Sequence, residues 1–131
     1  MDIIQNQNQS TILSINHIGL CSIIVQEKWN MQILFQLINE PKRYNEIEKV
    51  INQHNNLDNI SPKILSRRLK QLCDQNLIVK YRSPTVPPSV HYQITELGLI
   101  YSPVLLAMEE VGSLLPGPEM KIDEFDLGLN D

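Results

Sequence analysis

The segment from Ile60 to Tyr92 constrains the fold more than any other part of this chain. It opens with a helix signal, because Ser61 can accept from the free amides of a first turn and Pro62 suits the first helical position. At about 100° per residue around a helix axis, three leucines share one stripe: Leu65, Leu69 and Leu72. The opposite face carries three cations and a hydroxyl: Lys63, Ser66, Arg67 and Lys70. The pattern predicts a helix that buries its leucines and exposes positive charge.

Two strand patterns follow this helix directly. Leu77–Tyr81 is apolar and partly β-branched, and Val90–Thr95 alternates apolar and polar residues. The loop between them contains three prolines, which stiffen it and prevent helix formation. A strand, a rigid loop and a returning strand after a basic helix form the wing of a winged helix-turn-helix. The predicted fold class is therefore mainly α with a small β-hairpin wing (α+β), flanked by N- and C-terminal helices.

Such a helix fits the major groove of DNA, where Arg and Lys reach guanine O6 and N7 and hydroxyls are less selective partners. DNA binding through the exposed face of this helix is the leading hypothesis, and Lys80 and Arg82 on the wing would meet the flanking phosphates. For an isolated helix, a merely solvated charged face is the commoner explanation. The wing that follows favours DNA. The alternative is a winged-helix protein-interaction module with weak or no DNA binding.

The distribution of charge bears on these two hypotheses. The net charge is −4, which by itself argues against nucleic acid. However, Ser61–Arg82 carries six cations against one acid, a sum of +5, whereas Glu96–Asp131 carries eight acids against one lysine, a sum of −7. Phosphate affinity depends on the local field, because salt screens charges beyond about 8–10 Å. A basic face with an acidic far end is compatible with DNA binding.

The remaining composition excludes several other functions. The two cysteines, Cys21 and Cys73, have no CxxC spacing and no paired histidines, so neither a metal site nor a cofactor is expected. No glycine-rich phosphate loop and no catalytic constellation is visible, so an enzyme is not expected. Neither a leader nor a membrane-length apolar run is visible, and we expect a cytoplasmic protein without membrane contact.

The rest of the chain is organised around this winged helix-turn-helix. Residues 1–13 are predicted as a flexible arm, residues 14–115 as the domain with its flanking helices, and residues 116–131 as an acidic tail. Four further segments have helical or apolar patterns: Ser14–Val25, Trp29–Ile38, Tyr44–Ile51, and Thr95–Val111 with a kink at Pro103. Trp29 is predicted to anchor the core.

Five segments together resemble the HxlR-type transcriptional regulators, relatives of the MarR group. They are KW at Lys28–Trp29, KRYNEI at Lys42–Ile47, ISPKILSRRLKQL at Ile60–Leu72, NLIVKY at Asn76–Tyr81 and PPSVHYQITELG at Pro87–Gly98. The resemblance implies terminal helices that form a homodimer on inverted-repeat operator DNA, with repression as the default and the small-molecule effector unknown. It also implies that Lys42, Arg43 and Tyr44 lie close to the DNA backbone. The full predicted DNA-contacting set is Lys42, Arg43, Tyr44, Ser61, Lys63, Ser66, Arg67, Lys70, Lys80 and Arg82.

Three departures from the family pattern affect what can be transferred. Asn16 stands where many members carry a cysteine, some as a thiol sensor, so redox sensing at that position is not supported. The connection QHNNLDN before Ser61 is longer than usual and could shift the following helix. Asn76 replaces the usual glycine after that helix, and asparagine tolerates positive φ, so the turn can survive.

Arg68 lies beside the leucine stripe, which favours a phosphate contact or an intramolecular ion pair over base recognition.

Overall fold

The computed structural model describes residues 3–54 and 58–117, although side-chain positions begin at residue 9 and exclude that of residue 54. Over these ranges the chain forms six helices and one two-stranded antiparallel sheet, so the predicted mainly helical fold class is confirmed. In chain order the elements are α1 (Ile3–Val25), α2 (Asn30–Leu37), α3 (Tyr44–His54), α4 (Pro62–Asp74), β1 (Ile78–Arg82), β2 (Val90–Ile94), α5 (Glu96–Leu99) and α6 (Ser102–Leu114).

The wing is a β-hairpin with a short third partner. β1 pairs with β2 from Ile78↔Ile94 to Arg82↔Val90. Ahead of α3, the main chains of Lys42 and Tyr92 form two hydrogen bonds. The N–H of Lys42 donates to Tyr92 O at an N···O distance of 3.0 Å, and the N–H of Tyr92 donates to Lys42 O at 2.8 Å. This bridge ties the start of α3 to the hairpin, so the helix-turn-helix and the wing form one unit.

The hydrophobic core centres on α2, whose Ile33, Leu34 and Leu37 are almost fully buried. The leucine stripe of α4 joins the same cluster, with Leu65, Leu69 and Leu72 exposed by 0, 1 and 0%. Burying one such side chain contributes about 1.5–3 kcal/mol. The predicted orientation of α4 is therefore confirmed. Trp29 is 5% exposed and belongs to this cluster, as predicted for a core anchor.

Both ends of α4 are closed by local hydrogen bonds. Ser61 Oγ accepts from the N–H of Ile64 at 3.2 Å, as predicted for the cap. After the helix, Asn76 has a φ of 63°, and the N–H of Leu77 donates to the carbonyl of Leu72 at 3.0 Å. The N–H of Asn76 also donates to Cys73 O at 3.0 Å, which completes a Schellman motif. Asparagine therefore takes the place of the usual glycine, as the sequence predicted.

The connection before α4 is held by one amide side chain of α3. Asn52 Oδ1 accepts from the N–H of Ile60 at 2.9 Å, and Ile60 is buried. Residues 55–57, part of the longer connection noted in the sequence, lie outside the described residues. On the described side, α3 extends to His54, three residues beyond its predicted end. The chain thus returns to α3 immediately before the Ser61 cap.

Two predicted helices have different bounds in the structure. α1 is a continuous helix of 23 residues from Ile3, so residues 3–13 are helical where a flexible arm was predicted. Glutamine is a good helix former, and polar composition alone did not reveal this. The predicted kinked helix over Thr95–Val111 is wrong: the chain forms α5 and α6, and Pro103 lies in the first turn of α6. A proline ring clashes with the carbonyl four residues earlier, and α5 ends at that residue, Leu99.

No helix in the described ranges combines the length and apolar character that crossing a bilayer requires. Of the predicted acidic tail, only Pro116 and Gly117 lie within the described residues. The prediction for residues 118–131 therefore falls outside them.

A close approach at Gly98 joins α5 to the hairpin. Thr95 caps α5 by accepting from the N–H of Gly98 at 3.0 Å, and its own N–H donates to Leu77 O at 3.0 Å. A Cβ built on Gly98 would overlap Leu77 O and lie 2.6 Å from Ile94 Cγ1. Because one of these neighbours is backbone, the strand end would have to shift to admit any side chain.

We expect Gly98→Ala to lower the free energy of unfolding by about 1–3 kcal/mol, the usual cost of overpacking. Gly112→Ala is the matched control, because a Cβ there meets nothing within 4 Å and α6 would gain up to about 1 kcal/mol of helix propensity. Urea unfolding at one fixed protein concentration measures both. Equal stability of the two variants would contradict the close approach at Gly98.

Candidate nucleic-acid interface

The outward face of α4 carries the four polar side chains singled out in the sequence. Lys63, Ser66, Arg67 and Lys70 are all exposed, on the side opposite the buried leucines. Ser61 is also exposed, and its oxygen accepts within the cap, so its O–H hydrogen can still donate outward. The structure therefore places Lys63, Ser66, Arg67 and Lys70 on one exposed face of α4, with Ser61 exposed at its N-terminal end.

The cations of α4 differ in their intramolecular partners. Within the described residues, neither Lys63 nor Arg67 forms an ion pair. Lys70 Nζ lies 3.1 Å from Asp74 Oδ2, with the two side chains 78 and 63% exposed. An exposed pair of this kind contributes about 0–1 kcal/mol, so a phosphate can replace the carboxylate at little cost. The face therefore remains cationic and accessible.

An open groove separates α4 from the wing and joins the two predicted contact regions. Ser66 and Lys70 line it from α4, Lys80 from β1 and Tyr92 from β2, with Cys73 among the lining residues. Arg82, at the end of β1, is exposed. One cation from the helix, Lys70, and one from the wing, Lys80, thus line the same groove.

The wing loop is held by its own hydrogen bonds. The N–H of Ser83 donates to Ser89 O at 2.7 Å, and Thr85 Oγ1 donates to Pro87 O at 3.0 Å. Behind the loop, the rings of Tyr81 and His91 stack at 5.5 Å between centroids. Arg82 precedes a loop whose two ends are joined by a backbone hydrogen bond between Ser83 and Ser89.

The three residues before and at the start of α3 are partly engaged in holding the fold. Lys42 Nζ lies 3.0 Å from Glu40 Oε1, and its side chain is only 20% exposed. Tyr44 donates its hydroxyl to Pro62 O at 3.0 Å, which links α3 to the start of α4. Arg43 is 59% exposed. Among these three predicted residues, Arg43 is the most accessible to a phosphate, and Tyr44 has a structural role that the sequence did not reveal.

Glu46 organises the first turn of α3 around Arg43. Its Oε1 accepts from the N–H of Arg43 at 2.9 Å and from Arg43 Nε at 3.3 Å. The backbone bond returning to the residue before the helix is one half of a capping box. This bond, followed by the side chain and charge of Arg43, lowers the pKa of Glu46 below its ordinary 4.5.

Arg68 makes the contacts that distinguish the two alternatives considered for it. Its Nη1 lies 3.1 Å from Glu27 Oε2, and its Nε donates to Lys28 O at 3.0 Å. Nη1 also donates to Gln71 Oε1 at 2.9 Å, and the side chain is only 15% exposed. The intramolecular ion pair is confirmed. Sequence spacing could not identify Glu27 as the partner, because it lies 41 positions earlier.

Both cysteines are free and half-buried. Cys73 lines the groove between α4 and the wing. Burial, followed by the charge of Asp74, raises the pKa of its thiol, while the charge of Lys80 lowers it. Across residues 3–54 and 58–117, no group of three or more His, Cys, Asp and Glu residues could hold a metal ion.

A basic helix supported by a leucine stripe and followed by a hairpin defines a winged helix-turn-helix protein, and comparison with known proteins agrees. The HxlR-like helix-turn-helix family matches residues 24–119. MalR of Fusobacterium mortiferum is 40% identical over 86 residues, which are 65% of this chain and 76% of MalR. YkvN of Bacillus subtilis (strain 168), an uncharacterized HTH-type transcriptional regulator, is 30% identical over 104 residues, 79% of this chain and 83% of YkvN.

A known structure shows the same fold. The reduced form of the transcriptional regulator YodB from B. subtilis has a TM-score of 0.63 and 27% identity, covering 79% of this chain and 96% of YodB. The chain belongs to the HxlR-like helix-turn-helix family, and the relatives it matches are named transcriptional regulators. It is accordingly a DNA-binding transcriptional regulator of the HxlR/MarR-like type. This membership does not favour the alternative of a module that binds only protein.

We expect the Cys73 thiol to be less reactive in the folded protein than in the unfolded chain. The pKa of Cys73 in the folded protein is raised above the ordinary 9.0. The resulting contribution to the free energy of unfolding is therefore fully present below pH 9 and is lost as the pH rises through the pKa of the folded protein. The pH dependence of alkylation by iodoacetamide, measured on a Cys21→Ser protein with and without urea, tests this. A folded thiol that titrates at or below the unfolded one would contradict the burial argument.

Proposed function

We propose that this regulator binds duplex DNA sequence-specifically as a homodimer on an inverted-repeat operator in the cytoplasm, and that it represses transcription by obstructing polymerase. The observation that carries the proposal is the outward face of α4, where Lys63 and Arg67 are exposed without an ion-pair partner among the described residues. Three buried leucines fix that face in one orientation.

The roles of the individual side chains follow from their positions. Lys63, Ser66, Arg67 and Lys70 enter the major groove, where bidentate contacts of Arg or Lys to guanine discriminate between bases by about 1–3 kcal/mol each. Lys80, Arg82 and Arg43 border this face and hold phosphates, which sets the register without reading sequence. Lys42 and Tyr44 support the same edge, chiefly through their contacts with Glu40 and Pro62. The Ser61 hydroxyl completes the set by donating to a phosphate near the start of α4.

The proposed homodimer rests on the exposed apolar surface of α1. Residues 9–20 of this helix are exposed throughout, although they contain many apolar side chains. The large ones with the highest exposure are Ile12, Leu13, Ile15, Ile18 and Leu20, between 57 and 66%. α6 adds Leu106, Val111 and Leu114, between 56 and 61% exposed. Exposed apolar surface of this extent indicates an interface with another molecule. A second copy of the chain presents the same apolar residues, so the two surfaces can bury each other in a symmetric dimer.

A two-fold dimer determines the kind of operator. Two copies of α4 related by this symmetry read the same sequence on opposite strands, which is an inverted repeat. Successive major grooves on one side of the duplex lie about 34–36 Å apart, so the half-sites are expected at one helical turn or a multiple of it. A bound dimer of this width covers a promoter element, and repression is the direct result.

Replacing Arg67 and Lys70 together by alanine is expected to weaken operator binding by about tenfold or more, because two groove contacts are lost. If both side chains also neutralise phosphates, the slope of log K against log salt should decrease by about 0.9 for each contact. Fluorescence anisotropy on a selected operator at several salt concentrations measures both quantities.

The control for this double variant is Lys49→Ala, which removes an exposed cation of α3 outside the proposed set. It should retain nearly full affinity. All these positions are on the surface, so unfolding free energies should change by less than about 0.5 kcal/mol. Unchanged affinity in the Arg67/Lys70 variant would remove the assigned reading face.

Placing a charge on the apolar face of α1 is expected to convert the dimer to monomer. Ile15 is 61% exposed in the single chain, so Ile15→Glu should disturb the partner rather than the fold. Val86→Glu adds the same charge to an apolar residue of the wing loop that is 98% exposed and lies outside α1 and α6, so this variant should remain dimeric. Sedimentation equilibrium gives the mass of each variant, and a dimeric Ile15→Glu protein would show that this face is not the interface.

A further inference from the structure

The loop between α1 and α2 connects the proposed dimerisation helix to the rest of the domain. Trp29, the last residue of this loop, adopts a left-handed φ of 81° with its side chain buried. The next residue, Asn30, is 2% exposed and donates its Nδ2 to Ile24 O at 3.1 Å, back onto the end of α1. The loop is therefore short, anchored in the core and closed onto α1.

The same loop is attached directly to α4. Arg68 makes two contacts with the loop. Its Nη1 forms an ion pair with Glu27 Oε2 at 3.1 Å, and its Nε donates to Lys28 O at 3.0 Å. The two contacts use different edges of one planar guanidinium, so they restrict rotation as well as distance. A third contact, in which Nη1 donates to Gln71 Oε1 at 2.9 Å, lies within α4 itself and does not involve the loop.

A second tie joins the loop to the segment that leads into α4. Lys28 Nζ lies 2.6 Å from Asp58 Oδ2 and 5.0 Å from the centre of the Trp29 ring. Asp58 is three residues before the cap Ser61, and its Oδ1 accepts from the N–H of Asn59 at 2.8 Å. The loop after α1 is thus bound both to the approach to α4 and to its middle.

We propose that Arg68 is a positioning residue that fixes the angle between α1 and α4, and thereby sets the half-site spacing that the dimer accepts. The inference rests on the proposed function, since it requires a DNA-binding homodimer formed through α1. Arg68 itself contacts no base in this account. It acts through the loop, by holding the reading helix against the end of the helix that meets the partner.

Geometry makes the spacing sensitive to this contact. In a dimer that spans one helical turn, each reading helix lies about 17 Å from the two-fold axis, half of the groove separation. A shift of each reading helix by only about 1.7 Å along the duplex changes their separation by about 3.4 Å, the rise of one base pair. If Arg68 contributed only to stability, its loss would weaken binding to all spacings alike.

The test uses duplexes that carry the same selected half-sites with their separation changed by one base pair in either direction. Wild-type protein is expected to prefer one separation by about tenfold or more, within the range of measured couplings between sites. Arg68→Met keeps a side chain of similar length but cannot contact Glu27 or Lys28. The preference of this variant for one half-site separation should fall to about threefold or less. Arg68→Lys keeps the charge but not the double contact, and should be intermediate.

Glu27→Ala provides a second variant, which removes the ion pair from an exposed position and leaves Arg68 in place. It should reduce the preference in the same direction, and the double variant with Arg68→Met should add little. Gln71→Ala is the matched control, because it removes a partner of Arg68 but leaves both contacts to the loop, and its preference should equal that of wild type. Circular dichroism melting of every variant accompanies the binding data.

The outcomes separate the inference from the function on which it rests. Variants that bind every separation more weakly by one common factor, with the wild-type preference intact, would overturn the positioning role while leaving the regulator proposal in place. Should Arg68→Met fail to fold, Glu27→Ala decides by the same ratio. Wild-type protein that binds none of the duplexes would contradict the proposed function, and the positioning role with it.

Discussion

The burial of three leucines beneath α4 is the contact on which the rest of this structure depends. Leu65, Leu69 and Leu72 are exposed by 1% or less and share one apolar cluster with Leu34 and Ile47. Each contributes through area removed from water, at about 25 cal/mol per Å². Because successive residues of a helix are separated by a fixed angle, burying the three leucines determines which residues of α4 face the solvent. The exposed position of the cations is thus a consequence of packing. A core substitution that shifts α4 would therefore also change the affinity for DNA.

Several contacts around α4 hold the proposed DNA-reading face in this orientation. The cap at Ser61, the left-handed turn at Asn76 and the hydroxyl of Tyr44 fix where the helix begins and ends. The wing is then locked against its end, since Thr95 and Gly98 approach the backbone of Leu77 closely. Groups that are already ordered lose little conformational entropy when DNA arrives.

Local signals allowed the reading helix and the wing to be predicted, whereas long-range contacts and helix extent were not. A capping serine, a leucine stripe and a proline-rich loop each act within a few residues, so α4, β1 and β2 were predictable. The length of α1 was not, because its polar start has no apolar period and much of its apolar surface faces away from its own domain. The division into α5 and α6 depends on a clash at Pro103 that a periodic pattern does not contain. The contact of Arg68 with Glu27 crosses 41 positions, and no sequence rule fixes such a pairing.

The carboxylates beside the cations have a consequence for how this regulator finds its site. Lys42, Arg43 and Lys70 each have an acid within 3.3 Å, so a phosphate that binds one of them displaces an existing neighbour and gains less than a free cation would supply. If these cations contact phosphates as proposed, their carboxylate neighbours moderate sequence-independent attraction, and the protein leaves random DNA more readily. Arg67 has no ion-pair partner among the described residues, so its guanidinium is fully available for the proposed contact with guanine. In the proposed complex, weaker attraction to random DNA shortens unproductive encounters and so shortens the search for the operator.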